Sequence, residues 1–177
     1  MQAQAVLLAE DSGGSSFDEV CASAWLNLAR RFSTYPIPLG CKATALELGG
    51  MADTGVARVA AQAEAILGFL ADQGLIAGEW PQQPADCCPA TPFEGAQYAL
   101  APHTGVVSFM CAAGDQVAVG DPLFEVHDPL DDRHAVVRAE TAGVVYARER
   151  LRFAQPGLWL AKVAGATPIR QGRLLSD

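Results

Sequence analysis

Apolar positions in the first eighty residues recur with two different periods. Ala5 to Ala9 is a short continuous apolar run, as a buried strand would be. A Gly/Ser loop follows from Asp11 to Ser16, and Ser16 with Glu19 three residues on has the form of a capping box. The helix this opens, 17–32, sets Val20, Ala24, Leu28 and Phe32 on one stripe. After the turn YPIPLG, Lys42 to Leu48 (KATALEL) reads as a second strand closed by Gly49 and Gly50. Asp53 or Thr54 then starts a long helix ending near Gly74, with Val56, Val59, Ala60, Ala63, Ile66, Leu67 and Leu70 on its apolar face. Two βα units predict an α/β sheet. Two strands alone leave its edges and one face open, so residues 1–79 are expected to be part of a larger α/β domain.

Residues 80–97, WPQQPADCCPATPFEGAQ, hold four prolines and few periodic apolar positions, which predicts a linker. Residues 98–177 change character and contain an internal repeat. Ala101-Pro-His-Thr-Gly105-Val106-Val107 recurs as Ala139-Glu-Thr-Ala-Gly143-Val144-Val145. Gly120, Leu123 and Val126 recur with the same spacing as Gly157, Leu160 and Val163. The glycines mark turns and the Val and Leu positions short strands, so a pseudo-twofold β module is predicted. The pattern resembles the barrel-sandwich fold of biotinyl and lipoyl domains. The expected fold class is therefore α/β plus β: a partial α/β sheet followed by a barrel-sandwich module.

Half of the 177 residues are hydrophobic and 18% are charged, which excludes a disordered chain and allows a substantial core. The net charge is −8, from 20 acids against 12 bases, with no basic stripe of the kind a nucleic-acid backbone requires. Mean hydropathy is +0.16, yet no apolar stretch is long enough to span a bilayer. No basic region precedes the N-terminal apolar run, so no signal peptide is read there. A chain this apolar is expected to have another surface covering it, a further part of the protein or a second copy. Cys21, Cys41, Cys87, Cys88 and Cys111 form no C-x-x-C pair, which excludes a zinc knuckle and a disulfide framework and suggests a cytoplasmic protein.

A carrier role can be checked directly. Biotinyl and lipoyl domains present a modified lysine where their halves meet. Here that junction is His127 to Arg138, HDPLDDRHAVVR, without a lysine; the lysines are Lys42 and Lys162. The carrier reading fails. The same junction holds His127, Asp128, Asp131, Asp132 and His134, but Asp-Pro and Asp-Asp are common turn pairs, so a solvated hairpin is expected and no metal ligand is assigned. The alternative is a metal site built across a dimer from the His127–His134 hairpin. His103 is expected to pack in its loop. Glu47 is the sharpest candidate, ending an α/β strand between Leu46 and Leu48, with two glycines beyond it that let a substrate approach the backbone. Apolar surroundings would suit a general acid/base; otherwise the residue turns to solvent or caps the next helix.

Read in order, SFDEV with Trp25 and Leu28, CKATALELGG, the helix after GG, AP-x-x-GVV, GD-x-V-x-x-GDPL-x-E-V-x-DP and A-x-x-x-GVV resemble one family. It is the succinylglutamate desuccinylase/aspartoacylase family of zinc carboxypeptidase-like hydrolases, and the resemblance is to its C-terminal half. It implies an α/β domain whose zinc is held by an H-x-x-E pair and a later histidine, with a β-rich C-terminal domain over the active-site mouth. Glu47, in the E-L-G strand, would be the general base on the zinc-bound water and would pass the proton to the leaving amine. The reaction implied is hydrolysis of an N-acyl amino acid or similar amide.

The chain departs from that pattern. It contains no H-x-x-E, and His103, His127 and His134 all lie in the C-terminal module. The resemblance therefore implies a deacylase chain truncated at its N-terminus, which keeps Glu47 but binds no zinc alone. The partner expected is the missing half or a second copy on the exposed apolar face. The alternative is a non-catalytic partner or scaffold that binds a complementary chain. Neither nucleic acid nor membrane is expected as a partner.

Overall fold

The computed structural model describes residues 3–9, 11–13, 16–80 and 88–175. Strand β1, Val6–Leu8, is followed by helices α1, Phe17–Arg31, and α2, Val56–Asp72. Eight strands, β3 to β10, build the C-terminal module after a short strand β2, Ala90–Pro92. They are β3 Ala96–Leu100, β4 Gly105–Phe109, β5 Gln116–Val117, β6 Pro122–Asp128, β7 Arg133–Arg138, β8 Gly143–Arg148, β9 Phe153–Ala154 and β10 Trp159–Gly165. The protein is thus β-rich, with two helices among the described residues.

The internal repeat is visible strand by strand. One open sheet has the order β3-β10-β8-β5 and the other β7-β6-β4-β9. Exchanging β3 with β7, β10 with β6, β8 with β4 and β5 with β9 converts one order into the other. Each four-stranded sheet therefore takes strands from both repeats. The matched positions bear this out: Leu123 and Leu160 are fully buried, as are Val126 and Val163. Gly120 and Gly157 both adopt left-handed turn conformations, with φ of 91° and 82°. The core lies between the two sheets, where Val107, Leu123, Phe124 and Val126 meet Ala99, Val145, Leu160, Ala161 and Val163. Phe109 meets Phe124 edge-on, with centroids 6.1 Å apart.

The N-terminal part departs from its pattern in four places. Lys42 to Leu48 is not a strand: the segment has no regular structure, and Leu46 and Leu48 are exposed. An apolar alternating segment becomes a strand only when a neighbour pairs its N–H and C=O groups, and none does here. The parallel pairing that does form joins β1 to β2, Val6 opposite Ala90 and Leu8 opposite Pro92. In that edge pair Val6 and Leu8 are exposed, contrary to the buried strand expected at 5–9. Residues 90–97, placed in the linker by their composition, form β2, a 3-10 turn at Phe93–Gly95 and the start of β3. Proline tolerates such an edge strand because it lacks only a donor; residues 81–87 of the linker, including Cys87, lie outside the described residues.

The fourth departure is the capping box. Ser16 stands at the N-cap of α1 but makes no side-chain cap bond. Glu19 reaches back instead to Ser12, accepting from its N–H at 2.7 Å and its Oγ at 2.9 Å. Both helices otherwise form where the periodicity places them. Helix α2 closes at Gly74, whose φ of 71° allows Gly74 N–H to donate to Ala71 and Leu75 N–H to Leu70. Their apolar stripes stay open to solvent: Phe17 and Val56 are more than four-fifths exposed, and Gly68 is the one buried residue of α2.

Candidate functional site

In β10, a cation stands among apolar residues, and a bulge places it beside aromatic rings. Lys162 is paired across the strands with Tyr98 of β3, and the register of β10 on β3 shifts between Trp159 and Ala161. Alternation would put Trp159 and Lys162 on opposite faces. The bulge turns both toward the same face, while Leu160 and Ala161 between them are buried. Lys162 Nζ lies 4.4 Å from the ring centres of both Tyr98 and Trp159. Arg170 covers the same phenol ring, with Cζ 4.3 Å from its centre.

The aromatic and basic groups border a cleft of about 440 Å³ lined by Gln97, Tyr98, Glu140, Trp159, Ile169 and Arg170, among others. Arg170 is fixed by main-chain acceptors: Nη1 donates to Leu174 O and Nη2 to Phe93 O, each at 2.9 Å. Its Nε is buried and has no partner. Tyr146 lies beneath, hydrogen-bonded to Tyr98, and burial pushes its phenol far above the usual range, so it remains a protonated donor. Burial pulls the Lys162 ammonium below its ordinary value; the Glu47 carboxylate counteracts this and the Arg170 charge adds to it.

Glu47 is therefore brought into the electrostatic reach of Lys162, across more than a hundred residues of sequence. Its segment is tethered to α2 by Gln62 Nε2, which donates to Leu48 O at 2.6 Å, and Gly50 N–H closes a local turn on an Asp53 carboxylate oxygen at 2.9 Å. The apolar enclosure expected for Glu47 is absent; the residue is exposed, like both its neighbours. Chemically, the arrangement pairs a carboxylate that can accept a proton with an ammonium and a guanidinium that can hold an anionic group.

Sequence reasoning did not bring Tyr98, Trp159, Lys162, Arg170 and the half-buried Tyr146 together as a group. The one available signal was a lone lysine within the apolar run WLAKVAG, where a cation must find partners to be half-buried. His103 packs as expected, buried, with Nδ1 2.9 Å from Thr104 O.

The fold can be compared with solved structures. A succinylglutamate desuccinylase/aspartoacylase protein from Shewanella frigidimarina NCIMB 400 superposes with a TM-score of 0.72 at 19% identity over 86% of this chain. A family protein of the same description from Shewanella amazonensis SB2B gives 0.69 at 24% identity over 85%. The chain has the fold of succinylglutamate desuccinylase/aspartoacylase proteins. It spans less than half of these two structures, 42% and 43% of their lengths. The product-bound ectoine utilization protein EutE (DoeB) from Ruegeria pomeroyi is also similar, with a TM-score of 0.55 and 25% identity over 68% of this chain and 37% of that one. No family model and no curated protein matches the chain.

Proposed function

We propose that the chain is part of a deacylase that hydrolyses an N-acyl amino acid or similar amide to a carboxylate and an amine. The observation that carries this reading is that the Glu47 carboxylate acts electrostatically on Lys162, which lies over Tyr98 and Trp159 beside the Arg170 cleft, on a fold shared with desuccinylase/aspartoacylase proteins. Glu47 takes the proton from the attacking water and delivers it to the leaving nitrogen. Arg170 with Lys162 draws an anionic substrate group toward the cleft.

The zinc that the family resemblance implies does not fit these residues. The chain has no H-x-x-E, and the one grouping of ligand side chains found among the described residues, His127, Asp132 and His134, does not include Glu47. The zinc ligands belong, in this reading, to a further region of the enzyme, supplied by an N-terminal half that also covers α1 and α2. Residues 98–177 then form the barrel-sandwich module over the active-site mouth, and the thiol-rich chain works in the cytoplasm.

The test is reconstitution. The chain is mixed with the α/β half of a desuccinylase that carries H-x-x-E, and amine release from N-acyl amino acids is followed. Hydrolysis should appear with the pair, and Glu47→Gln should lower kcat by about 10²–10⁴-fold. Binding of the two halves without hydrolysis would favour the second reading, a non-catalytic scaffold subunit. The stripes of α1 and α2, exposed among the described residues, suit that reading as well.

A further inference from the structure

We propose that the hairpin of β6 and β7 holds a divalent first-row transition-metal ion on His127, Asp132 and His134, with Glu125 orienting His134. His127 and His134 are directly opposite in the antiparallel register. Their rings stack with centres 4.0 Å apart and 12° between planes. Each Nε2 lies against the same oxygen, Asp132 Oδ1, at 3.2 Å and 3.3 Å. One nitrogen of each ring and one carboxylate oxygen thus lie within 4.8 Å of one another.

Glu125 completes the arrangement from the next position on that face of β6. Its Oε1 is 2.6 Å from His134 Nδ1, so Glu125 would keep the ring proton on Nδ1 when a metal ion replaces the Nε2 hydrogen bond to Asp132. A carboxylate behind a ligating imidazole is the usual way of fixing tautomer and orientation in a metal site. Asp132 occupies the left-handed region, φ 55°, the one such non-glycine among the described residues. That conformation ends the four-residue turn and aims the carboxylate back over the two rings. Arg133 does not neutralise it, because Arg133 pairs with Asp128 at 3.5 Å and Asp131 at 3.8 Å.

Two imidazoles and one carboxylate, with the remaining positions open to water, suit zinc, nickel or copper and not magnesium or calcium, which prefer all-oxygen shells. The stacked rings must fan apart by rotation about Cβ–Cγ for both lone pairs to converge. Both side chains are nearly half exposed, so no core contact opposes that rotation. The ligand set is not a by-product of the repeat. In the pseudo-twofold frame that superposes β6 on β10, His127 falls on Ala164 and Glu125 on Lys162. The site is built on one half of the module and is independent of the deacylase reading.

The experiment is calorimetric titration of the whole chelator-treated chain with zinc chloride, accompanied by its melting temperature with and without zinc. One equivalent should bind and raise the Tm. His127→Ala and His134→Ala should abolish both effects, while Glu125→Gln should weaken binding by about 10–100-fold at unchanged stoichiometry. Each variant should melt like the wild type in the absence of metal, since the hairpin end is solvent-exposed. Cobalt substitution should give a spectrum without a thiolate charge-transfer band. No binding at millimolar zinc, binding that survives both histidine variants, or a thiolate band that places the ion on the cysteines would each overturn the proposal.

Discussion

Gly105 and Gly143 begin matched strands of the two repeats, each pressed against a backbone carbonyl of its neighbour. A Cβ on Gly105 would stand 2.4 Å from His127 O, and one on Gly143 1.9 Å from Ala164 O. Neither backbone can give way without breaking its ladder. Gly105→Ala and Gly143→Ala should each cost about 1–3 kcal/mol, read as a lower denaturant midpoint at unchanged m-value. Cys111 tests the core differently. Its thiol is buried and donates to Leu123 O at 3.3 Å, and burial raises its pKa. It should resist alkylation in the folded chain at pH 8 while exposed Cys21 reacts. Because the folded value is raised, this group's contribution to stability is fully present below the unfolded thiol value, about 8.5. It declines as pH rises above that value toward the folded one. An alkaline fall in urea midpoint that is absent in Cys111→Ala is the check. At the cleft, Lys162→Met keeps the packing and removes the charge. In the reconstituted enzyme it should raise KM for an anionic substrate more than it lowers kcat.

Among the elements, β6 and β10 carry the fold. Both run for seven residues, and both shift register near their start, at Pro122/Phe124 and at Trp159/Ala161. The shared bulge is put to different use in each repeat: in β10 it turns Trp159 toward Lys162, whereas in β6 the same position is Pro122. Phe124 of β6 is fully buried at the centre of the core. Phe124→Ala should destabilise the module by about 3–5 kcal/mol, measurable by thermal or denaturant unfolding. Helices α1 and α2 behave differently. Their periodicity and, for α2, the closing Gly74 were legible, because helix formation depends on neighbours three and four residues away. Helix α2 starts at Val56, however, beyond the expected Asp53 or Thr54. The strand expected at 42–48 was not realised, because a strand depends on partners that only the rest of the fold can supply.

The whole molecule combines a two-sheet β core with an N-terminal part whose apolar side chains remain exposed. Phe17, Met51 and Val56 are each more than four-fifths exposed, and Val20, Val59 and Phe69 about half. A chain with that surface should self-associate or bind its complementary half; light scattering at several concentrations should show a mass above that of the 18.6 kDa monomer. A monodisperse monomer would count against it. The repeat, its turn glycines and its buried Leu and Val positions could be read from the chain, because local spacing encodes alternation and turn conformation directly. Glu47 could be singled out as a carboxylate beside two glycines, but its neighbourhood could not. Lys162, Tyr98 and Arg170 come together through the β3–β10 register, a bulge and a tail that returns to hydrogen-bond Glu94 and Phe93. The His127–His134 pairing likewise depends on a register set by the hairpin turn. Local order follows from contacts a few residues apart. Which distant side chains share a face was decided only by sheet pairing, where a shift of one residue sends every side chain to the other side.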